Sequence, residues 1–115
     1  MPQSDRQGTG DCYEAAYKFL TARGLGAPGR YTLVHGNIAK LSQDHSVNHA
    51  WIEEGDIVHE VSKGRHLQFI KSDYYKLHGV KNVRQYSHEE ALIASLRTRH
   101  YGPWDEIDRD SESTA

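Results

Sequence analysis

Apolar positions Tyr13, Ala16, Tyr17 and Leu20 recur at the three-to-four spacing of a single helix face, with Asp11 ahead of them as a good N-cap. The pattern predicts a helix over residues 12–23, stopped by Gly24, Gly26, Pro28 and Gly29. Residues 31–38 are β-rich and predict a first strand, and residues 42–48 form a polar connection. Residues 48–53 and 56–61 predict two further strands joined by a tight turn. A short helix closed by Gly79 is predicted over 72–79, and a strand over 80–86. Ser87-His88-Glu89-Glu90 is a capping box that opens a last helix through about Arg99, with Ala91, Leu92, Ile93 and Leu96 on its buried side. The order α-β-β-β-α-β-α predicts an α+β fold, an N-terminal helix packed on a small antiparallel sheet with further short helices.

The chain ends are polar and stand apart from this pattern. Residues 1–9 read as a flexible lead-in, 10–104 as a single domain, and 105–115 as an acidic disordered tail. Gly102-Pro103-Trp104 is expected to fold an aromatic ring back onto the sheet, and the basic stretch 63–71 to be a solvated face. A formal net charge of -2 argues against a nucleic-acid partner reading phosphates. No apolar run suits a leader or a bilayer span, so the expectation is a cytoplasmic protein with no membrane partner, of bacterial or phage origin.

Cys12 is the single cysteine of the chain, so an internal disulfide is excluded. Its predicted place at a helix start matters, because unpaired N–H groups and the helix dipole favour a thiolate there, below the free value of about 8.5. A lone cysteine is otherwise a small core residue. The hairpin downstream carries His49 and Glu60. If Glu54-Gly55 is a two-residue turn, Glu53 pairs with Asp56, Ile52 with Ile57 and Trp51 with Val58, and His49 falls opposite Glu60. A three-residue loop with Gly55 as a bulge would instead oppose His49 to His59; the first register is favoured because it gives a base its acid. His45, His49, His59 and His66 could converge on a metal, but no metal-ligand spacing motif is present, and no metal or cofactor is expected. His35, His78, His88 and His100 read as surface or turn residues. The tyrosines at 13, 17, 31, 74, 75 and 86 either line a peptide cleft or belong to the core.

Asp11-Cys12 opening a helix, His49-Ala50-Trp51 on a strand and an acid on the next resemble the papain-like and transglutaminase-like cysteine superfamily. The resemblance covers residues 11–62. It implies Cys12 as nucleophile, His49 as general base and acid, and Glu60 as the group orienting the imidazole. It also implies an oxyanion donor upstream of the cysteine, for which Gln7 is the candidate. The chain departs from the superfamily in carrying Glu where Asp or Asn is usual, and the alternatives are that the third role falls to Asp56 or to no residue. The implied activity is that of a cysteine hydrolase or acyltransferase acting on an amide, isopeptide or thioester of a protein or peptide through an acyl-enzyme. The alternative is a non-catalytic binding or inhibitor protein, for example a phage protein docking to a host factor. So short a chain has little surface for a cleft, which makes a homo-oligomer conceivable.

Overall fold

The computed structural model describes the backbone of residues 3–27, 29–39 and 46–104, and the side chains of residues 12–27, 29–39 and 47–104. Helix α1 (Gln3–Gly24) is followed by β1 (Thr32–Ala39), β2 (Ser46–Glu54), β3 (Ile57–Glu60), a 3-10 turn (Ser62–Gly64), β4 (Leu67–Ile70), α2 (Lys71–His78), β5 (Lys81–Tyr86) and α3 (His88–Thr98). The strands form one sheet in the order β4-β3-β2-β1-β5, antiparallel throughout. The fold is α+β, with the N-terminal helix lying on the sheet.

Strand alternation divides the core between the two faces of that sheet. Leu33, Ala50 and Ile52 point to one face, where Cys12, Tyr13, Ala16 and Leu20 of α1 and Ala91 and Ala94 of α3 pack on them. Val34, Trp51 and Val58 point to the other, where Tyr74 of α2 covers them. Leu20, Leu33 and Ile52 are fully buried, each contributing roughly 1.5–3 kcal/mol by removal from water. Trp104 folds back onto the α1 face as expected and is 1% exposed. Ser87 caps α3 with both bonds of the capping box, and Arg99 closes that helix in the left-handed region.

Three expectations are corrected. Helix α1 begins at Gln3, so residues 3–9 are helical rather than a lead-in, and Cys12 lies well inside the helix. Gly8 and Gly10 each weaken a helix by about 1 kcal/mol and residues 3–11 include no large apolar side chain, so this stretch has no periodic signal. Once residues 12–24 are packed, extending the helix requires propagation but no new nucleus. The basic stretch 63–71 is largely exposed, as a solvated face, but it also contains β4, a strand missing from the predicted order; three of the four β4 residues are exposed, so an edge strand forms with little apolar alternation to announce it. On α3 the buried residues are Ala91 and Ala94, whereas Leu92, Ile93 and Leu96 are exposed. Small side chains let α3 approach α1, where Tyr17 Oη and Ser95 Oγ share a hydrogen bond of 2.7 Å.

The expected tail at 105–115, most of the connection at 42–48 and His45 lie outside the described residues. Among the described residues no helix is long and apolar enough to cross a membrane.

Candidate active site

The β2–β3 turn decides which side chains meet. Gly55 has φ +58 and takes the first central position of a two-residue turn with Asp56, a place that favours glycine because a Cβ is strained there. The register is therefore Glu54↔Ile57, Glu53↔Val58 and Ile52↔His59. This overturns both registers considered from the sequence. His49 is opposite neither Glu60 nor His59. Continued by one residue, the pairing sets Glu60 across from Trp51 and leaves His49 on the same face, one diagonal step away. A diagonal pair remains within reach of long side chains, and His49 Nε2 lies 2.8 Å from Glu60 Oε2.

The opposite side of His49 meets the helix. Beyond Glu60 the chain leaves the sheet for the 3-10 turn, which packs on α1, so the end of β2 bearing His49 is not flanked by β3. There the imidazole makes a side-chain hydrogen bond with Cys12 as well as with Glu60. Glu60 is in turn held by two hydroxyls: Tyr74 donates to Oε1 at 2.7 Å and Ser62 donates to Oε2 at 3.1 Å. Asp56 sits in the turn, and Glu60 is the carboxylate at His49. Neither Tyr74 nor Ser62 was singled out as a supporting residue from the sequence, and no local signal marks them. Tyr74 comes to Glu60 from α2 through the tertiary fold, whereas Ser62 lies two residues along the chain, where the 3-10 turn begins.

The electrostatics of this chain of contacts follow from burial and pairing. Burial alone disfavours imidazolium, but hydrogen bonds and charge from Cys12 and Glu60 outweigh it and raise the His49 pKa to about 9. Burial likewise opposes the Glu60 carboxylate, yet the bond and charge of His49, with donation from Tyr74 and Ser62, leave its pKa lowered. The Tyr74 phenol is pushed up by burial and by Glu60, so it stays a proton donor. The pair is an imidazolium held against a carboxylate at neutral pH.

Cys12 departs from expectation in two ways. It lies inside α1 rather than at its start, so its own backbone is not among the unpaired N–H groups of a helix end. It is also 1% exposed, where a partly exposed thiol was expected. In this conformation the sulfur faces His49 but not open solvent, and a reagent or substrate reaches it only when the surrounding chain opens. The side chain of Gln7, the candidate oxyanion donor, lies outside the described residues.

The remaining histidines separate into other roles. His59 and His66 share a hydrogen bond of 2.8 Å, and His59 Nε2 lies 2.8 Å from Glu54 Oε1. His49 is committed to Cys12 and Glu60, His45 lies outside the described residues, and no group of three candidate metal ligands converges among the described residues. His35 is not a surface residue. It is 3% exposed and ringed by Tyr13, Tyr86 and Trp104, and burial lowers its pKa to about 3. Tyr74 and Tyr86 are buried in the two halves of the core.

Comparison with known proteins finds no match to a family model, a curated protein or a solved structure.

Proposed function

We propose that the chain is a cysteine hydrolase or acyltransferase of papain-like or transglutaminase-like chemistry, with Cys12 as nucleophile, His49 as base and acid, and Glu60 as orienter. The observation that carries this reading is a single imidazole hydrogen-bonded to the lone thiol and, at 2.8 Å, to a buried carboxylate. Structural histidines seldom need both partners, whereas a nucleophile with a base oriented by a third group does. In the reaction the Cys12 sulfur attacks the acyl carbon as a thiolate paired with the protonated His49. His49 then gives its proton to the leaving amine or thiol as that bond breaks. Water or an amine attacks the thioester, gives its proton to the now neutral His49, and releases the acyl product with the thiolate–imidazolium pair restored. Glu60 holds the ring in place and stabilises its cationic form throughout.

The test is acylation by p-nitrophenyl acetate. The expected result is one equivalent of p-nitrophenolate released in a burst and one acetyl group located by mass spectrometry on Cys12, both lost in His49→Ala. Acetylation that spares Cys12, or that His49→Ala leaves unchanged, would overturn the proposal. The burial of Cys12 favours one competing reading, a binding protein whose Cys-His-Glu cluster is structural; such a protein would show no burst.

A further inference from the structure

Residues 61–66 cross from β3 to β4 as a strap whose 3-10 turn packs on α1. Val61 and Ser62 are buried, whereas residues 63–66 are exposed, so apolar packing holds only the near end. Lys63, at φ 59, and Gly64, at φ +71, both lie in the left-handed region. A residue with a Cβ stays there only where its surroundings hold it. Val61 shares the buried cluster of Cys12, and Ser62 donates to Glu60. A change in the strap therefore reaches the proposed site.

Two histidines tie the far end. His59 pairs with Ile52 on the α1 face and is 5% exposed, covered by the rings of Phe19 and Tyr31. Its Nε2 lies 2.8 Å from Glu54 Oε1, and its Nδ1 lies 2.8 Å from Nε2 of His66, whose ring also meets Phe19. Arg30 and His59 hold the Glu54 carboxyl below its ordinary range, so it is ionised and only accepts. His59 therefore donates from Nε2, and in its neutral form accepts from His66 at Nδ1. One proton added to the pair still leaves a single N–H between the rings. A second makes both facing nitrogens donors and sets N–H against N–H. The surroundings oppose that second charge: Arg23 faces His66 from α1, Lys63 and Arg65 flank it in the strap, and the other oxygen of Glu54 accepts from Arg30 at 2.6 Å. Burial, His59 and Arg23 accordingly hold the His66 pKa below the ordinary imidazole value.

We infer that the His59–His66 bond is an acid-released latch on this strap, and that its release loosens the wall of the proposed Cys12 site. The latch is closed at neutral pH and opens as pH falls through the second protonation of the pair. Its regulatory purpose rests on the proposed cysteine chemistry, but the latch opens whether or not the thiol reacts.

Amide hydrogen exchange of the full chain at pH 7.5 and pH 5.0 tests it, in the wild type and in His66→Gln, whose side chain gains no charge. The Arg65 N–H donates to the Ser62 carbonyl at 3.1 Å and reports strap closure. The amides of β1, flanked by β2 and β5, report global unfolding. Between the two pH values Arg65 should lose about tenfold or more protection in the wild type than in His66→Gln, the loss typical of one charged hydrogen-bonding partner. The β1 amides should change alike in both proteins. Iodoacetamide labelling of Cys12, normalised to free cysteine at each pH, should rise more on acidification in the wild type than in the variant. Equal change at Arg65 in the two proteins, a difference at β1 as large as that at Arg65, or an equal rise in Cys12 labelling would overturn the inference. Failure of the p-nitrophenyl acetate burst with the His66-dependent responses intact would instead count against the catalytic proposal alone.

Discussion

His35 should make this fold sensitive to mild acid, and the size of the effect follows from its surroundings. The imidazole is buried among Tyr13, Tyr86 and Trp104 with no hydrogen-bond partner on either nitrogen among the described residues, and burial lowers its pKa to about 3. The unfolded chain accepts a proton near the ordinary value of about 6.5. A depressed folded pKa means that the contribution is intact above 6.5 and is lost as pH falls from there toward about 3. At pH 5 the unfolded state is about 1.5 units below its midpoint, and at about 1.4 kcal/mol per unit the loss is about 2 kcal/mol. That is a large share of a typical domain stability of 5–15 kcal/mol. His49 works in the opposite sense: with its pKa raised to about 9, its contribution is full below 6.5 and is lost as pH rises through 9. The His35 effect is therefore isolated by comparing the wild type with His35→Leu, which removes the titrating group without adding bulk against Gly102. Urea unfolding followed by fluorescence of the buried Trp51 and Trp104 at pH 7.5 and pH 5.0 gives the four stabilities needed. Between those pH values the wild type should lose about 2 kcal/mol more than the variant does. Parallel pH dependence in the two proteins would refute the reasoning.

Glu60→Gln removes the carboxylate that helps oppose burial at His49, so the imidazole pKa should fall from about 9, as read by NMR titration of its ring protons; an unchanged value would show that Glu60 does not hold the imidazolium. Gly102→Ala would set a Cβ 2.7 Å from His35 Cε1 and 3.1 Å from Tyr13 at φ +123, and should cost about 2 kcal/mol or more in denaturant unfolding. Ser87→Ala deletes the side-chain acceptor of the α3 capping box and should cost about 1 kcal/mol, seen as a lowered melting temperature.

The fold was legible where side-chain spacing matches backbone period. Tyr13, Ala16 and Leu20 announced α1, Ser87 and Glu90 announced α3, and alternation announced β1 to β3. It was not legible where few side chains pack inward, as in β4, where Phe69 meets the core but Leu67 and Ile70 stay exposed. The three residues Cys12, His49 and Glu60 could be named from the chain, but the reason offered for their meeting was wrong in detail. Gly55 moves the turn by one residue, and the His49–Glu60 contact survives because a diagonal neighbour is still on the same face. The depth of Cys12 could not be read, since Asp11 looked like a cap and the helix runs past it. Tyr74, which fixes Glu60 with the nearby Ser62, comes from an element that only the three-dimensional arrangement brings there. His35 read as a surface or turn residue because one histidine in a β-rich stretch carries no sign of the aromatic side chains that close over it.

Alkylation of Cys12 by iodoacetamide as a function of urea, in the wild type and in His49→Ala, tests the coupling of thiol and imidazole most directly. Burial makes the rate a product of an opening equilibrium and the reactivity of the exposed thiol. The account predicts that labelling proceeds through a local opening, at a rate nearly independent of urea below the unfolding transition. It also predicts that His49→Ala slows this native-state labelling about tenfold or more, because the thiolate loses its imidazolium partner. Labelling that occurs only through global unfolding, with the full urea dependence and the same rate per unfolded molecule in both proteins, would contradict it and leave Cys12 a core residue.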